Sequence, residues 1–350
     1  MTSTSQSDLS QKLGLKHPLI VAPMAGGPSS IELVAACSAA GALGSMGAAY
    51  SNPAAIGQFA DAVRQRTDRP FAINLFIPTP VPPIDRDQID RAIAATSNYR
   101  AELDLPAPDV APPFEEDFDA QFEAVLKARP AVLSFVFGVL RDEHSKAARN
   151  AGILLIGTAT TFAEAQTLDD SGVDAIALQG FEAGGHRGIF DARAPDQEIP
   201  LHDLLGQCVG RVRAPLIAAG GIMSAPQVDA ALRAGAQVVQ LGTAFLVCAE
   251  AGTSKPYKTR LLDPAGRTTR TTRAFSGRLA RGIENRFMDE MAAKADAILP
   301  FQAQNKFTRD IRNASAARGS ADFLSLWAGT GEGELWQGPA AELIEHLFQG

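Results

Sequence analysis

Residues 215–243 read PLIAAGGIMSAPQVDAALRAGAQVVQLGT, and the order of patterns within this stretch decides the fold. A short apolar run ends in the pair Gly220 and Gly221, a segment of helical period follows, and a second apolar run ends at Gly242 and Thr243. Ser224 stands where an N-cap oxygen is needed, and Pro226 falls in the first turn, where its missing N–H leaves no bond unmade. Strand, crossover helix and parallel strand form the repeating unit of α/β folds.

The same unit recurs outward along the chain. Further apolar runs read PLIVAPM from Pro18, ALGSMGA from Ala42, FAINLFI from Phe71, AVLSFVF from Ala131, ILLIGTA from Ile153 and DAIALQG from Asp174, making eight in all. Most lack polar alternation, as strands buried on both faces do. Ala-rich helical segments separate them; IELVAACSAAG has Ser29 or Ser30 as its N-cap and Gly41 as its stop. Eight consecutive units favour closure into a TIM (β/α)8 barrel over an open doubly wound sheet, the competing architecture.

A barrel of this kind takes about 250 residues, and the chain has 350. The barrel is therefore assigned to residues 1–250, with two additions. Residues 78–120, rich in proline and acid, make a long connection after the third strand and are expected as an insertion over the active-site face. Residues 251–350, with helical segments such as ENRFMDEMAAKADAIL and PAAELIEHLF, are expected as a mainly helical cover over the substrate.

A formal charge of −7 and a pI near 5.3, with no clustered Lys/Arg tract, argue against nucleic acid as a partner but allow one cationic pocket. The N-terminal MTSTSQSDLSQK has no apolar signal core, and AVLSFVFGVL at 131–140 is about half a bilayer span, so a cytoplasmic protein without membrane segments is expected. Cys37, Cys208 and Cys248 lack metal-ligand spacing and read as packing residues.

Four motifs carry candidate chemistry. APMAGG at 22–27 is either a tight turn or an edge for a flat ligand, with Pro23 removing a donor and two glycines permitting close approach. AAGGIM at 218–223 and QLGTAF at 240–245 place glycines beyond the seventh and eighth strands, where barrels bind phosphate; singly, each pair could merely end a strand. QGFEAGGHRG at 179–188 gathers Gln179, Glu182, His186 and Arg187 among four glycines after the sixth strand. On such a loop His186 is a candidate base, whereas His17, His144, His202 and His346 read as ordinary residues. Asn74, polar within FAINLF, needs a partner, either neighbouring backbone or the edge of a cofactor. No metal-ligand spacing and no GxSxG elbow occur.

Together, VAPMAGGPSSIELVAACSAAGALGSMG, PFAINLFIP, QGFEAGGHRGIF, PLIAAGGI and QLGTAF resemble the nitronate monooxygenase family, in particular its bacterial class I group, over roughly residues 15–250; SLWAGTG at 325–331 is similar to that group's C-terminal signature. The resemblance implies noncovalent FMN with Ala22, Pro23 and Met24 near the ring. It places Asn74, Gln179, Gly184, Gly221, Gln240, Gly242 and Thr243 at cofactor-binding positions and His186 at the catalytic one. The implied reaction is oxidation of an alkyl nitronate, usually propionate 3-nitronate, by dioxygen to a carbonyl compound and nitrite without NADH or NADPH. The chain departs from the pattern in its tyrosines. Only Tyr50, Tyr99 and Tyr257 are present, LPFQ at 299–302 stands where a tyrosine is common, and only Tyr257 is expected at the pocket. The alternatives are an NAD(P)H-dependent FMN quinone or enoyl-thioester reductase on the same barrel, and a flavin-binding sensor or scaffold without turnover.

Overall fold

The computed structural model describes residues 8–263 and 267–349, so the first seven residues of the polar N-terminal stretch lie outside it. The eight predicted runs form parallel strands β1 (Leu19–Val21), β2 (Gly44–Gly47), β3 (Phe71–Phe76), β4 (Val132–Val136), β5 (Leu154–Ala159), β6 (Ala175–Gln179), β8 (Leu216–Ala219) and β9 (Val238–Leu241). A two-residue strand, β7 (Gly185–His186), lies outside the barrel. The order β1-β9-β8-β6-β5-β4-β3-β2 closes on itself, because Leu43 N–H donates to Leu19 O and Val21 N–H to Leu43 O, each at 2.9 Å. The chain is a TIM barrel.

Period two along the strands explains both its core and its cavity. Ile20, Ala72, Val132, Ile156, Ala177, Ile217 and Val238 form one interior layer, while their neighbours Leu19, Ile73, Leu133, Leu155, Ile176 and Val239 pack outward in the cluster shared with the helices. Leu9, Leu13 and Leu15, on and just after the helix Asp8–Lys12, join the interior layer. Each such leucine stabilises the fold by roughly 1.5–3 kcal/mol. Two residues further along each strand stand Ala22, Asn74, Ser134, Thr158, Gln179, Ala219 and Gln240. This upper layer, at the C-terminal ends of the strands, is where the interior turns polar.

Ser30 supplies the cap of the helix Ile31–Ala39, accepting from Leu33 N–H at 2.9 Å, and Gly41 ends it with a φ of +91°. At the helix Ala225–Arg233, Gln227 Oε1 accepts from the N–H groups of Met223 and Ser224. All three cysteines are buried, and burial pushes Cys208 up to about 11 and Cys248 up to about 12, which suits packing rather than reaction. Among the described residues no helix is long and apolar enough to cross a membrane.

The C-terminal hundred residues are mainly helical but also carry strands. Besides helices they contain the hairpin β10 (Thr269–Thr272) and β11 (Ala280–Ile283), and β11 pairs antiparallel with β7, setting Ala280 opposite His186. The last helix, Ala340–Phe348, packs against Ile31–Ala39 and Ala225–Arg233, with Leu343, Ile344 and Leu347 in the barrel's own outer core. The insertion also lies elsewhere than over the cavity. Its helix Arg86–Glu102 puts Tyr99 among Phe275, Phe287 and Phe323 of the cover, and Arg100 forms a two-pronged ion pair with Asp310 at 2.8 and 3.0 Å. Insertion and cover therefore share apolar clusters.

Candidate active site

A cavity of about 550 Å³ opens at the C-terminal ends of the barrel strands, beneath the cover. Ala22, Pro23, Met24, Asn74, Gln179, Gly184, His186, Gly221, Gln240, Gly242 and Thr243 all line it. No residue of 78–120 does. The insertion instead borders a neighbouring cleft through Pro78 and residues 113–119, and Tyr50 and Arg309 belong to both spaces.

The loop after β6 is held by its own polar residues. Gln179 Nε2 donates to His186 O at 2.9 Å, and Gln179 Oε1 accepts from Arg187 Nη1 at 2.9 Å and Gly188 N–H at 2.8 Å. Arg187 is buried and pairs with Asp196, Nε to Oδ2, at 2.6 Å. Glu182 accepts from Leu201 N–H at the start of the helix Leu201–Cys208. Of the four polar residues concentrated in this motif, Gln179 and His186 face the cavity, while Glu182 and Arg187 fix the backbone that presents them. Asn74 is less committed: its Nδ2 donates to Ser134 Oγ at 3.0 Å.

His186 is enclosed by aromatic rings. Phe76, Phe137, Phe301 and Trp327 have centroids 5.9, 6.1, 5.6 and 5.6 Å from the imidazole. Phe137 adopts a φ of +81°, a conformation that costs a bulky L-residue about 1–3 kcal/mol, and the Arg278 guanidinium lies 3.7 Å above its ring. Burial first, then the charges of Arg278 and Arg312, push His186 down to about 3, so the ring is neutral at physiological pH. Its Nε2 lies 2.8 Å from Ser276 Oγ, which donates to Arg278 O at 3.1 Å. With the hydroxyl hydrogen on that carbonyl, Ser276 is the acceptor and the His186 proton sits on Nε2, leaving Nδ1 with the lone pair; the reverse arrangement would put the hydroxyl hydrogen on Nε2.

The cover supplies the wall that sequence reasoning missed. Asn305, Arg309, Arg312 and Trp327 line it, and Ser276 reaches His186 from behind. The tyrosine expectation needs correction. Tyr257 does line the cavity, but its hydroxyl donates to Trp327 O, whereas Tyr50, at the end of β2, lines the cavity as well. The helical register of QNKFTRDIRNAS, which puts Asn305, Arg309, Arg312 and Asn313 on adjoining turns, was the available signal.

The barrel wall fits a flavin. Gly221 follows β8 and lines the cavity beside the N-terminus of Ala225–Arg233; its φ of +70° and the 3.0 Å from a built Cβ to Glu182 Cβ both favour glycine there. Gly242 faces Ala22 and Met24, and polar amides lie between the two ends of the wall. Gly184 has a second duty: any Cβ would strike the backbone of Ala328 and Gly329 at 2.5 Å, and Gly329 N–H donates to Thr243 Oγ1 at 3.0 Å. SLWAGTG is thereby sewn against both the loop after β6 and the end of the eighth barrel strand.

Comparison with known proteins agrees with this architecture. The nitronate monooxygenase family model matches residues 6–350. A probable nitronate monooxygenase of Staphylococcus aureus is 36% identical over 347 residues, 98% of this chain and 97% of the relative. The structure of a nitroalkane oxidase from Streptomyces ansochromogenes superposes with a TM-score of 0.89 at 36% identity, covering 97% of this chain and 96% of that one. FabK from Thermotoga maritima, at 23% identity and a TM-score of 0.75 over 99% and 96% of the two chains, shares the fold. With the match running over nearly its whole length, the chain belongs to the nitronate monooxygenase family and is a flavin-dependent oxidoreductase.

Proposed function

We propose that this enzyme binds FMN and uses dioxygen to oxidise preformed alkyl nitronates, with propionate 3-nitronate as substrate, to a carbonyl compound and nitrite without NADH or NADPH. The observation that carries this reading is a neutral His186 facing a cavity that Arg309 and Arg312 also line. Neutral imidazole held by Ser276 is a weak base in this setting, since a proton taken from a neutral nitroalkane would place a cation beside Arg278 and Arg312. A nitronate has already lost that proton, and its negative charge is what the surrounding guanidinium groups favour.

Bound FMN supplies the electron chemistry. In this reading Ala22, Pro23 and Met24 lie against its ring, Asn74, Gln179 and Gln240 meet the ring's polar edge, and Gly184, Gly221, Gly242 and Thr243 hold the phosphate end. His186 positions the nitronate through Nδ1 or serves a neutral nitroalkane as base, while the four surrounding aromatic rings exclude water.

The test combines an oxygen electrode with a nitrite assay on FMN-replete protein supplied with propionate 3-nitronate and no pyridine nucleotide. Oxygen uptake with nitrite release is expected. Inertness to nitronate with rapid anaerobic bleaching by NADPH would replace this reading with the reductase. Retained FMN with inertness to both would leave the scaffold.

A further inference from the structure

The cavity wall under the cover carries an unneutralised positive charge. Arg309 and Arg312 both line the cavity, and among the described residues neither forms an ion pair. The carboxylate between them in sequence, Asp310, is taken by Arg100. Arg312 Nη2 donates to Asn305 O at 2.6 Å and to Asn305 Oδ1 at 2.9 Å, so a buried amide holds the guanidinium in place. Its Nε is shut off from solvent and has no acceptor. Burial first, with the neighbouring Arg309, pushes Arg312 down to about 10, and the opposing influence of Tyr50 and Asp310 does not offset it. The residue is half-buried, and a guanidinium whose Nε is shut off without an acceptor and which has no counter-ion is costly to hold; this one forms part of a ligand cavity. The anion that matches it must therefore come with the ligand.

We infer that Arg312, oriented by Asn305 and reinforced by Arg309, is the receptor for a second anionic group of the substrate, a terminal carboxylate on a short nitronate. The inference rests on the nitronate reading above and adds the residue that reads the far end of the substrate. Arginine suits the task because its planar fork matches a carboxylate bidentately, which a lysine cannot do. His186 and Arg312 line the same cavity, so a molecule with a nitronate at one end and a carboxylate at the other has a partner for each group within it. A simple alkyl nitronate leaves Arg312 unpaired.

The test compares kcat/KM for propionate 3-nitronate with that for propyl-1-nitronate in wild type, Arg312→Gln and Arg312→Lys. Calorimetric titration with succinate, a near-isosteric dianion, and with butyrate runs alongside. Wild type should prefer the carboxylated nitronate, and Arg312→Gln should reduce that preference by about 10²-fold, the scale of truncating one partner of a buried, hydrogen-bonded charge pair. Arg312→Lys should fall between. Equal losses on both nitronates, or no preference in wild type, would overturn the receptor. If wild type turns over neither nitronate, the functional reading fails by itself; succinate binding that exceeds butyrate binding and is lost in Arg312→Gln would still support the anion site, and absent succinate binding would sink it.

Discussion

The cavity has two walls of different origin. One is made by the ends of the barrel strands, where every residue sits at a position fixed by period two and by the turn that follows. The other is made by the cover, where Asn305, Arg309 and Arg312 from two consecutive short helices meet Trp327 from a later segment, with Ser276 contacting His186 from outside the lining. The first wall is uncharged and rich in glycine and amide, suited to a flat cofactor with a phosphate. The second is cationic and aromatic, suited to a small anion. If the proposed function holds, binding the cofactor and choosing the substrate fall to separable parts of the chain, with His186 where the two walls join, since β7 pairs with β11.

The sharpest way to break this division is His186→Asn. FMN and the fold should be retained, because the phosphate is proposed to be held chiefly by the groups near Gly221 and Thr243. If His186 serves neutral nitroalkanes as base despite its depressed basicity, their turnover should fall by about 10²- to 10⁴-fold, the contribution of a positioned base. Oxidation of the preformed nitronate should fall less, as measured by oxygen uptake on both substrates in variants of equal flavin content. The pH dependence has a definite sign. His186 is pushed from its ordinary 6.5 down to about 3, so the unfolded chain binds a proton between those values that the native chain does not. Its contribution to stability is full above about pH 6.5 and is lost as pH falls towards 3. Chemical denaturation across that window should show the loss in wild type and its absence in His186→Asn.

Next in size is the anchor of the catalytic loop. Asp196→Asn leaves Arg187 buried beside a neutral amide, and removing one partner of a buried pair costs about 3–5 kcal/mol. Thermal denaturation should register it clearly. A change within about 0.5 kcal/mol would mean that Gln179 and the Gly180 carbonyl suffice to hold Arg187.

A smaller effect is expected on the barrel wall from Gly221→Val. A β-branched residue at a φ of +70° costs about 1–3 kcal/mol, and its Cβ presses on Glu182 and narrows the approach to the phosphate. FMN affinity, followed by fluorescence quenching on reconstitution, should weaken by about 10- to 10²-fold. Unchanged affinity would make Gly221 a turn residue only.

These expectations also measure how far the sequence alone reaches. All eight barrel strands and the phosphate-type glycines were legible, because apolar runs and glycine positions are local signals written within seven residues. Glu182 and Arg187 were grouped with His186 because sequence proximity does not tell a residue that faces a ligand from one that ties down its loop. The β10–β11 hairpin was missed because TRTT and ARGI have neither an apolar run nor alternation; their strand character comes from pairing with each other and with β7. Tyr50 was passed over because nothing near it in sequence shows that the end of β2 opens into the cavity. The insertion was placed over the site by its length and position, but its helix buries Ala92 and Tyr99 against the cover instead.

The smallest expected effect probes the seam between the walls. Ser276→Ala removes the acceptor of the His186 Nε2–H while leaving the aromatic cage and the arginines in place. A neutral hydrogen bond of this kind is worth about 1 kcal/mol, so turnover should fall by roughly five-fold. A loss that small could also arise from loosened packing, so the decisive reading is the tautomer. Ring nitrogens of ¹⁵N-histidine-labelled wild type should report His186 as Nε2–H alone, and Ser276→Ala should give a mixture with Nδ1–H. Ser276→Thr, which keeps the hydroxyl, should restore both the signature and the rate. If the alanine variant retains a pure Nε2–H tautomer, the cover does not set the chemistry of His186. The joining of the two walls would then be a matter of shape alone.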